Sequence, residues 1–247
     1  MPSMIRILLF LPICAFAANN KIPTSKNGVT SQLQFKVIKK HNDFQYSFQS
    51  NFSHLEVSRK QHEYSLASSY KVHPNLKIET SYQRSYGLRH EEDWKNINNE
   101  GWRWHDSSNR GENIFGLKVS PRFLLNKKTR ADLNIQYTYN DYNFHKTIIA
   151  SPSIARFFTN DTLPKFSIYL KSYIYIPINY SEASLYKIKT YIGINYHIER
   201  KHLIGLNLGY LQEKWTNHDG NRSRVSQNYE SKFKQFLIGI KYTLIIF

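Results

Sequence analysis

The segment Phe166-Ser-Ile-Tyr-Leu-Lys-Ser-Tyr-Ile-Tyr-Ile176 alternates between two kinds of side chain at every second residue. One face carries Phe166, Ile168, Leu170, Ile174 and Ile176, and the other carries Ser167, Tyr169, Lys171, Tyr173 and Tyr175. A period of two is the pattern of a β-strand, because successive side chains of a strand point to opposite faces of its sheet. The segment therefore predicts a strand with one apolar face and one polar, basic and tyrosine-rich face.

The same alternation recurs from residue 31 to the C-terminus, with breaks rich in Asn, Asp, Lys, His and Pro. Further strands are predicted at 131–139, 165–178, 186–198 and 203–210, and weaker ones at 32–39, 44–51, 62–72, 76–86, 113–124 and 146–158. A final strand is predicted at the C-terminus, and one more could form in the poorly patterned segment 19–30. We expect about twelve strands in all, because β-barrels of the bacterial outer membrane normally have an even number of strands.

The N-terminus has the features of a secretory signal peptide. Arg6 precedes the apolar run 7–17, and Ala15-Phe16-Ala17 is an A-x-A cleavage site. A lipoprotein anchor at Cys14 is the alternative, but Ile13 is bulky where a small residue normally precedes such a cysteine. We predict a signal peptide at 1–17 and one domain at 18–247, which contains no cysteine and so no disulfide.

Composition and loop lengths favour an outer-membrane barrel over a soluble β-sandwich, which also alternates. The chain contains 18 tyrosines and 15 phenylalanines, yet its mean hydropathy is -0.56. No stretch after the signal peptide is long and apolar enough for a transmembrane helix. Short breaks at 40–43, 73–75, 126–129 and 199–202 contrast with long polar ones at 87–112 and 214–231. Short periplasmic turns and long external loops are typical of all-β, antiparallel, up-and-down transmembrane barrels.

The ends of the strands carry two more features of that class. Tyrosine and tryptophan cluster there, as in interfacial girdles: Tyr82, Tyr86, Tyr137, Tyr139, Tyr142, Tyr196, Tyr210 and Trp215. The C-terminal strand alternates through Phe236, Ile238, Ile240, Tyr242 and Leu244. It looks like an outer-membrane assembly signal, although the terminal Phe247 is one residue out of phase with Ile246.

If the apolar face of each strand meets lipid, the opposite face lines a lumen. Basic residues predominate in the predicted lining, which comprises Lys36, Lys71, Lys77, Lys118, Arg122, Lys171, Lys187, Lys189 and Lys241, against Glu79 and Asp132. A narrow tube lined by bases concentrates anions, so we predict an anion-selective channel without a cofactor or metal. Some of these bases, such as Lys71, Lys77 and Lys241, could instead meet lipid phosphates.

Tyrosines on the same predicted face extend this interpretation to sugars. Tyr169, Tyr173, Tyr175 and Tyr191 could pack against sugar rings while lysines bind carboxylates. Acidic oligosaccharides would then be the solutes. At the mouth, the arginines of the long loop and its approach could guide anions inward: Arg84, Arg89, Arg103 and Arg110.

The hairpin from Tyr64 to Thr80, running on through Tyr82, resembles the oligogalacturonate-specific porin (KdgM) family, which includes a sialic acid channel. Similar hairpins occur at 113–139 and 186–210, and the likeness is one of pattern and length. The resemblance implies a monomeric, twelve-stranded barrel that passes acidic oligosaccharides along two basic tracks. The weak first strand departs from it.

Other functions fit less well. The stretch 217–222 is faintly similar to the His-x-Ser-Asn-Gly motif of outer-membrane phospholipases, but Gly220 stands where that motif has serine, and only Ser223 is nearby. Loop residues His90, Glu91, Glu92, Asp93, His105, Asp106 and Glu112 could form a metal or omptin-like site, without any metal-ligand spacing. We expect no enzyme, and a structural or adhesive barrel stays open.

The expected partners follow from this location. Outer-membrane lipid and lipopolysaccharide would surround the barrel, and Trp102-Arg-Trp104 could recognise lipopolysaccharide or a host surface. A net charge of +16 would also suit nucleic acid, but export argues against that partner.

Overall fold

The computed structural model describes residues 27–55, 59–86, 94–96, 102–104, 111–141, 146–160, 163–178, 187–216 and 230–247. The described chain is all β. Its strands are β1 (Asn27–His41), β2 (Phe44–Leu55), β3 (Arg59–His73), β4 (Leu76–Tyr86), β5 (Trp94–Asn96), β6 (Trp102–Trp104), β7 (Gly111–Asn126), β8 (Thr129–Asn140), β9 (Lys146–Asn160), β10 (Leu163–Pro177), β11 (Lys187–Ile198), β12 (His202–Thr216) and β13 (Glu230–Ile246).

Eleven of these strands close into one barrel, which confirms the predicted fold class. Each strand pairs antiparallel with its neighbour in sequence, β4 passing directly to β7, while β5 and β6 form a separate hairpin. β1 and β13 close the wall in parallel. This follows from the odd number of strands in the wall, since alternating strands then begin and end in the same direction. The expectation of an even number is therefore not met among the described residues.

The uncertain segment 19–30 contributes only its last part. Residues 27–30 begin β1, and the rest of that segment lies outside the described residues. Several strands are longer than the alternation predicted. For example, the strand predicted at 203–210 extends to Thr216 in β12.

The register defines the shape of the barrel. Following paired residues once around the wall returns to β1 displaced by about 14 residues, which for eleven strands corresponds to a tilt of about 40° and a backbone radius of about 11 Å. Such a barrel lies between those filled by side chains and the wide porins.

The connections sort by length between the two ends. Tight turns at 42–43, 74–75, 127–128 and 199–201 lie at one end, here called the short-turn end, together with Phe247. The connections that contain 87–110, 179–186 and 217–229 lie at the other, the long-loop end, where β1 begins. Asn42 turns with a φ of 52°, a left-handed conformation that asparagine tolerates better than most residues.

The outer face is apolar and exposed. Leu206, Leu208 and Phe236 are 61%, 60% and 64% exposed, and comparable side chains surround the barrel. The small hydroxyls Ser172 and Thr190 on this face bond each other at 3.0 Å. So much exposed apolar surface is rare on a soluble monomer. No helix of the described residues is long and apolar enough to cross a membrane.

Candidate functional site

The candidate site is the inner face of the barrel. The structure places the predicted lining residues on this face, opposite the exposed apolar side chains: Lys36, Lys71, Lys77, Lys118, Arg122, Lys171, Lys187, Lys189, Lys241, Tyr169, Tyr173 and Tyr191. The alternation of apolar and polar residues along each strand predicts this placement. Whether these side chains line a path for a solute stays a prediction.

Four lysines converge near mid-height and are called the lysine belt: Lys36 on β1, Lys118 on β7, Lys171 on β10 and Lys241 on β13. The strand tilt brings them to about the same level. The charge of Lys36 interacts with Lys118 and Lys241, and that of Lys241 interacts with Lys171. The belt therefore concentrates positive charge from four separate strands at one level of the interior.

Glu79 on β4 is the acid at this level among the described side chains. It forms ion pairs with Lys118 and, at 3.4 Å, with Lys77 of the same strand. One carboxylate cannot neutralise four ammonium groups, so the belt keeps a net positive charge. A positive interior with low-dielectric walls attracts anions.

The tyrosines hold lysine amines without cancelling their charge. Lys171 Nζ lies 4.3 Å from the Tyr173 ring centre, and Lys187 and Lys189 lie 5.4 and 5.9 Å from the Tyr175 ring. Ring faces attract cations through their quadrupole, which is uncharged overall. Tyr173 in turn meets Tyr191 edge-on, with ring centres 6.1 Å apart.

Glycines on the inner wall make room for these rings, a feature that sequence analysis missed. A Cβ added to Gly209 on β12 would lie 2.6 Å from the Tyr191 ring, and one on Gly193 would collide with the Tyr169 ring. The two tyrosines therefore lie along the wall rather than across the bore. The sequence could have revealed these glycines by their position in the alternation, because they all occupy inward positions of their strands: Gly193, Gly205, Gly209 and Gly239.

The inner face carries further charged residues that were not among the predicted lining, and these include Glu63, Glu112, Arg130 and Glu213. Arg130 and Arg122 both contact Asp132, at 2.7 and 3.1 Å, and Lys187 pairs with Glu213 at 3.3 Å. Glu63 accepts hydrogen bonds from Asn51 and Gln61. Carboxylates are thus more numerous inside than the sequence analysis counted.

Of the four predicted mouth arginines, Arg84 alone has a described side chain, and it does not face the lumen. Arg84 lies on the outer face with Tyr82 and Tyr86, and its Nη1 donates a 2.7 Å bond to Asn113 Oδ1. Arg89 and Arg110 lie outside the described residues, and Arg103 is described only as backbone within β6. Alternation would have put Arg84 outward, in phase with its neighbouring tyrosines.

A serine and a histidine meet inside the barrel near its short-turn end. Ser167 Oγ lies 3.2 Å from His197 Nε2, and Asn195 Nδ2 donates to the same hydroxyl at 3.4 Å. Ser167 is only 2% exposed. A serine nucleophile must reach its substrate and needs donors for the oxyanion, so this geometry resembles a packed polar contact more than a catalytic pair.

The predicted alternatives in the loops cannot be placed. His218, Gly220 and Ser223, and the loop residues from His90 to Asp106, lie outside the described residues or are described as backbone alone. Within the described ranges, no three His, Cys, Asp or Glu side chains lie close enough to hold a metal ion.

Comparisons with known proteins leave the family open. No family model matches the chain, and no curated protein or solved structure is significantly similar to it. The resemblance to the oligogalacturonate-specific porins therefore stays a prediction.

Proposed function

We propose that the protein is an outer-membrane porin that gives passive, anion-selective diffusion through its interior. The lysine belt is the observation that carries this proposal: four amines from different strands face one carboxylate inside a closed barrel. Fixed positive charges inside a narrow bore raise the local concentration of anions and exclude cations. No covalent step and no cofactor are required.

The outer face supports membrane insertion. Exposed leucine, isoleucine, valine and aromatic side chains cover the wall, and closure leaves no strand edge. A bilayer tolerates strands only in a closed barrel whose backbone groups are all paired. We therefore propose a bacterial outer-membrane location, with lipid and lipopolysaccharide around a monomeric barrel.

Acidic sugars or oligosaccharides are the proposed solutes. Tyr173 presents its ring to the belt lysine Lys171, Tyr191 is the register partner of Lys171, and Tyr169 lies two residues along the same face of β10. Flat apolar sugar faces pack on aromatic rings, while lysines attract carboxylates. The resemblance to the oligogalacturonate-specific porin family favours the same class.

The test is single-channel recording of the refolded protein in a planar bilayer under a potassium chloride gradient. The zero-current potential gives the ratio of chloride to potassium permeability. We expect discrete openings that favour chloride and are blocked by oligogalacturonate or sialic acid. A silent barrel, or a preference for potassium, would refute the proposal; anion-selective openings without a block would refute only the sugar class.

A barrel enzyme is the second candidate, and it would rest on the Ser167–His197 contact. A fluorophosphonate probe would label Ser167 if the hydroxyl were an activated nucleophile. Labelling that Ser167→Ala and His197→Ala both abolish would support the enzyme. We expect no labelling, because Ser167 is buried.

A further inference from the structure

The inward charges are distributed unevenly along the barrel axis. The third nearest the long-loop end contains Glu63, Glu112 and Glu213 with Lys187 and Lys189. The lysine belt with Glu79 occupies the middle. The third nearest the short-turn end contains Lys71, Lys77, Arg122 and Arg130 with Asp132. Among the described inward side chains, carboxylates therefore outnumber bases at one end, and bases outnumber carboxylates at the other.

Position within the strands establishes this order. Glu112 is the second residue of β7, and Arg122 follows ten residues further along the same strand toward the short-turn end. On β3, Glu63 lies near the beginning and Lys71 near the end. β3 and β7, which lie on either side of β4 in the wall, thus each change from acid to base in the same direction.

The carboxylates at the long-loop end attract the two lysines of the same third of the barrel. Lys187 pairs with Glu213 at 3.3 Å, and the charges of Glu63 and Glu213 both attract Lys189. Glu112 accepts a 2.9 Å hydrogen bond from Asn140. At the other end, Asp132 is shared by Arg122 and Arg130, which leaves the local charge positive.

We propose that this axial charge gradient makes the channel rectify, passing more current when anions enter at the short-turn mouth than when they enter at the long-loop mouth. The inference rests on the proposed channel function. In the favoured direction, anions enter past the bases and cations enter past the acids, so both accumulate in the bore. In the opposite direction, each ion first meets charge of its own sign and the bore is depleted.

The test needs channels whose orientation is known. Cys14→Ser removes the single cysteine, and Asn75→Cys then places a thiol in the short turn after β3. A bulky maleimide polymer added to one compartment lowers conductance only if that compartment faces the short-turn mouth. Current is then recorded at equal positive and negative voltages in symmetric potassium chloride.

We expect the current ratio to be at least about 1.5 in the favoured direction, falling as salt screens the fixed charges. Glu63→Gln, and separately Lys71→Gln with Arg122→Gln, should each bring the ratio toward one. Lys39→Gln is the matched control, because Lys39 is an exposed base near the short-turn end but on the outer face. It should leave the ratio unchanged.

The outcomes separate the two claims. A ratio of one in anion-selective channels, or a ratio in the opposite direction, would overturn the gradient and leave the proposed function standing. Loss of rectification in the Lys39 variant alone would also overturn it. Channels without anion selectivity would refute the proposed function itself. Each variant is first checked for folding by heat-modifiable migration in electrophoresis, and the acidic and basic variants test the gradient independently.

Discussion

Tyr191 on β11 donates a 3.3 Å hydrogen bond to Gln32 on β1, although β12 and β13 lie between these strands in the wall. The tyrosine reaches this partner by lying over Gly209. The bond therefore spans the parallel junction between β1 and β13 on the inner face. It links β11 to β1 across β12 and β13, and the pairing of β13 with β1 is the one parallel contact of the described wall.

Tyr191→Phe should weaken the barrel at this junction. The hydroxyl and its bond are lost while the ring stays over Gly209, so the free energy of unfolding should fall by about 1 kcal/mol. Urea unfolding in lipid vesicles, followed by tryptophan fluorescence, measures the change. Unaltered stability would show that water replaces the hydrogen bond to Gln32 without loss. We expect no change in the conductance of this variant.

Gly209→Ala should narrow the bore. The new methyl would overlap the Tyr191 ring and force it away from the wall, at a cost of about 1–3 kcal/mol. Single-channel conductance should fall, and Gly209→Ala with Tyr191→Ala should restore it. A conductance that stays low in the double variant would mean that the methyl acts through the backbone, since the Thr190 carbonyl is also close.

Charge reversal in the lysine belt should alter ion selectivity. Lys171→Glu and Lys241→Glu each change the local charge by two units inside the bore, so the chloride preference should fall or reverse. The zero-current potential in a salt gradient reports the change. Lys39→Glu makes the same change on the outer face and should have little effect; equal effects would contradict the assignment of the belt to the conduction path. Charge reversal at Lys187 and Lys189 should act in the same direction.

A lysine introduced at mid-height on the outer face should destabilise the barrel if that face meets lipid. Leu206→Lys should cost about 2–4 kcal/mol in a bilayer, whereas Gln212→Lys, on the same face of β12 but near the long-loop end, should cost about 0–1 kcal/mol. Unfolding in lipid vesicles measures both. Equal, small costs would argue against a membrane-embedded wall.

The outward hydroxyl pair tests the same environment in another way. Ser172→Ala leaves the Thr190 hydroxyl without its partner, at a cost of about 1 kcal/mol, whereas Ser172→Ala with Thr190→Val removes both polar groups. The double variant should therefore be more stable than the single one. Additive losses in a double-mutant cycle would show that the hydroxyls do not depend on each other.

The alternation in 166–176 was sufficient to predict β10 and the face on which Lys171 and Tyr173 lie, because the two-residue period is a local property of an extended backbone. The tight turns after β1, β3, β7 and β11 were predicted for a similar reason, from short polar breaks between patterned segments. The same rule, applied consistently, would have placed Arg84 on the outer face. Extending the strands would have revealed Arg130 and Glu213.

Other features depend on residues far apart in the chain. The sequence predicted about twelve strands but not the odd number of the described wall, because the alternation fades in 19–30 and no single strand reveals whether the total is even or odd. The bond between Tyr191 and Gln32, and the meeting of Lys36, Lys118, Lys171 and Lys241, require the register of every intervening pair. The inward glycines are visible in the sequence, but the tyrosine rings that lie over Gly193 and Gly209 come from a neighbouring strand.

By itself, the sequence determined that this chain forms strands with one apolar and one basic, tyrosine-rich face, since that information repeats every second residue. The closure of eleven described strands through a parallel junction, and the set of charges that share one level of the interior, became known only from the three-dimensional fold. The physical reason is that closure and strand tilt are properties of the whole wall. A shift of register in any one pair would move every later residue relative to β1.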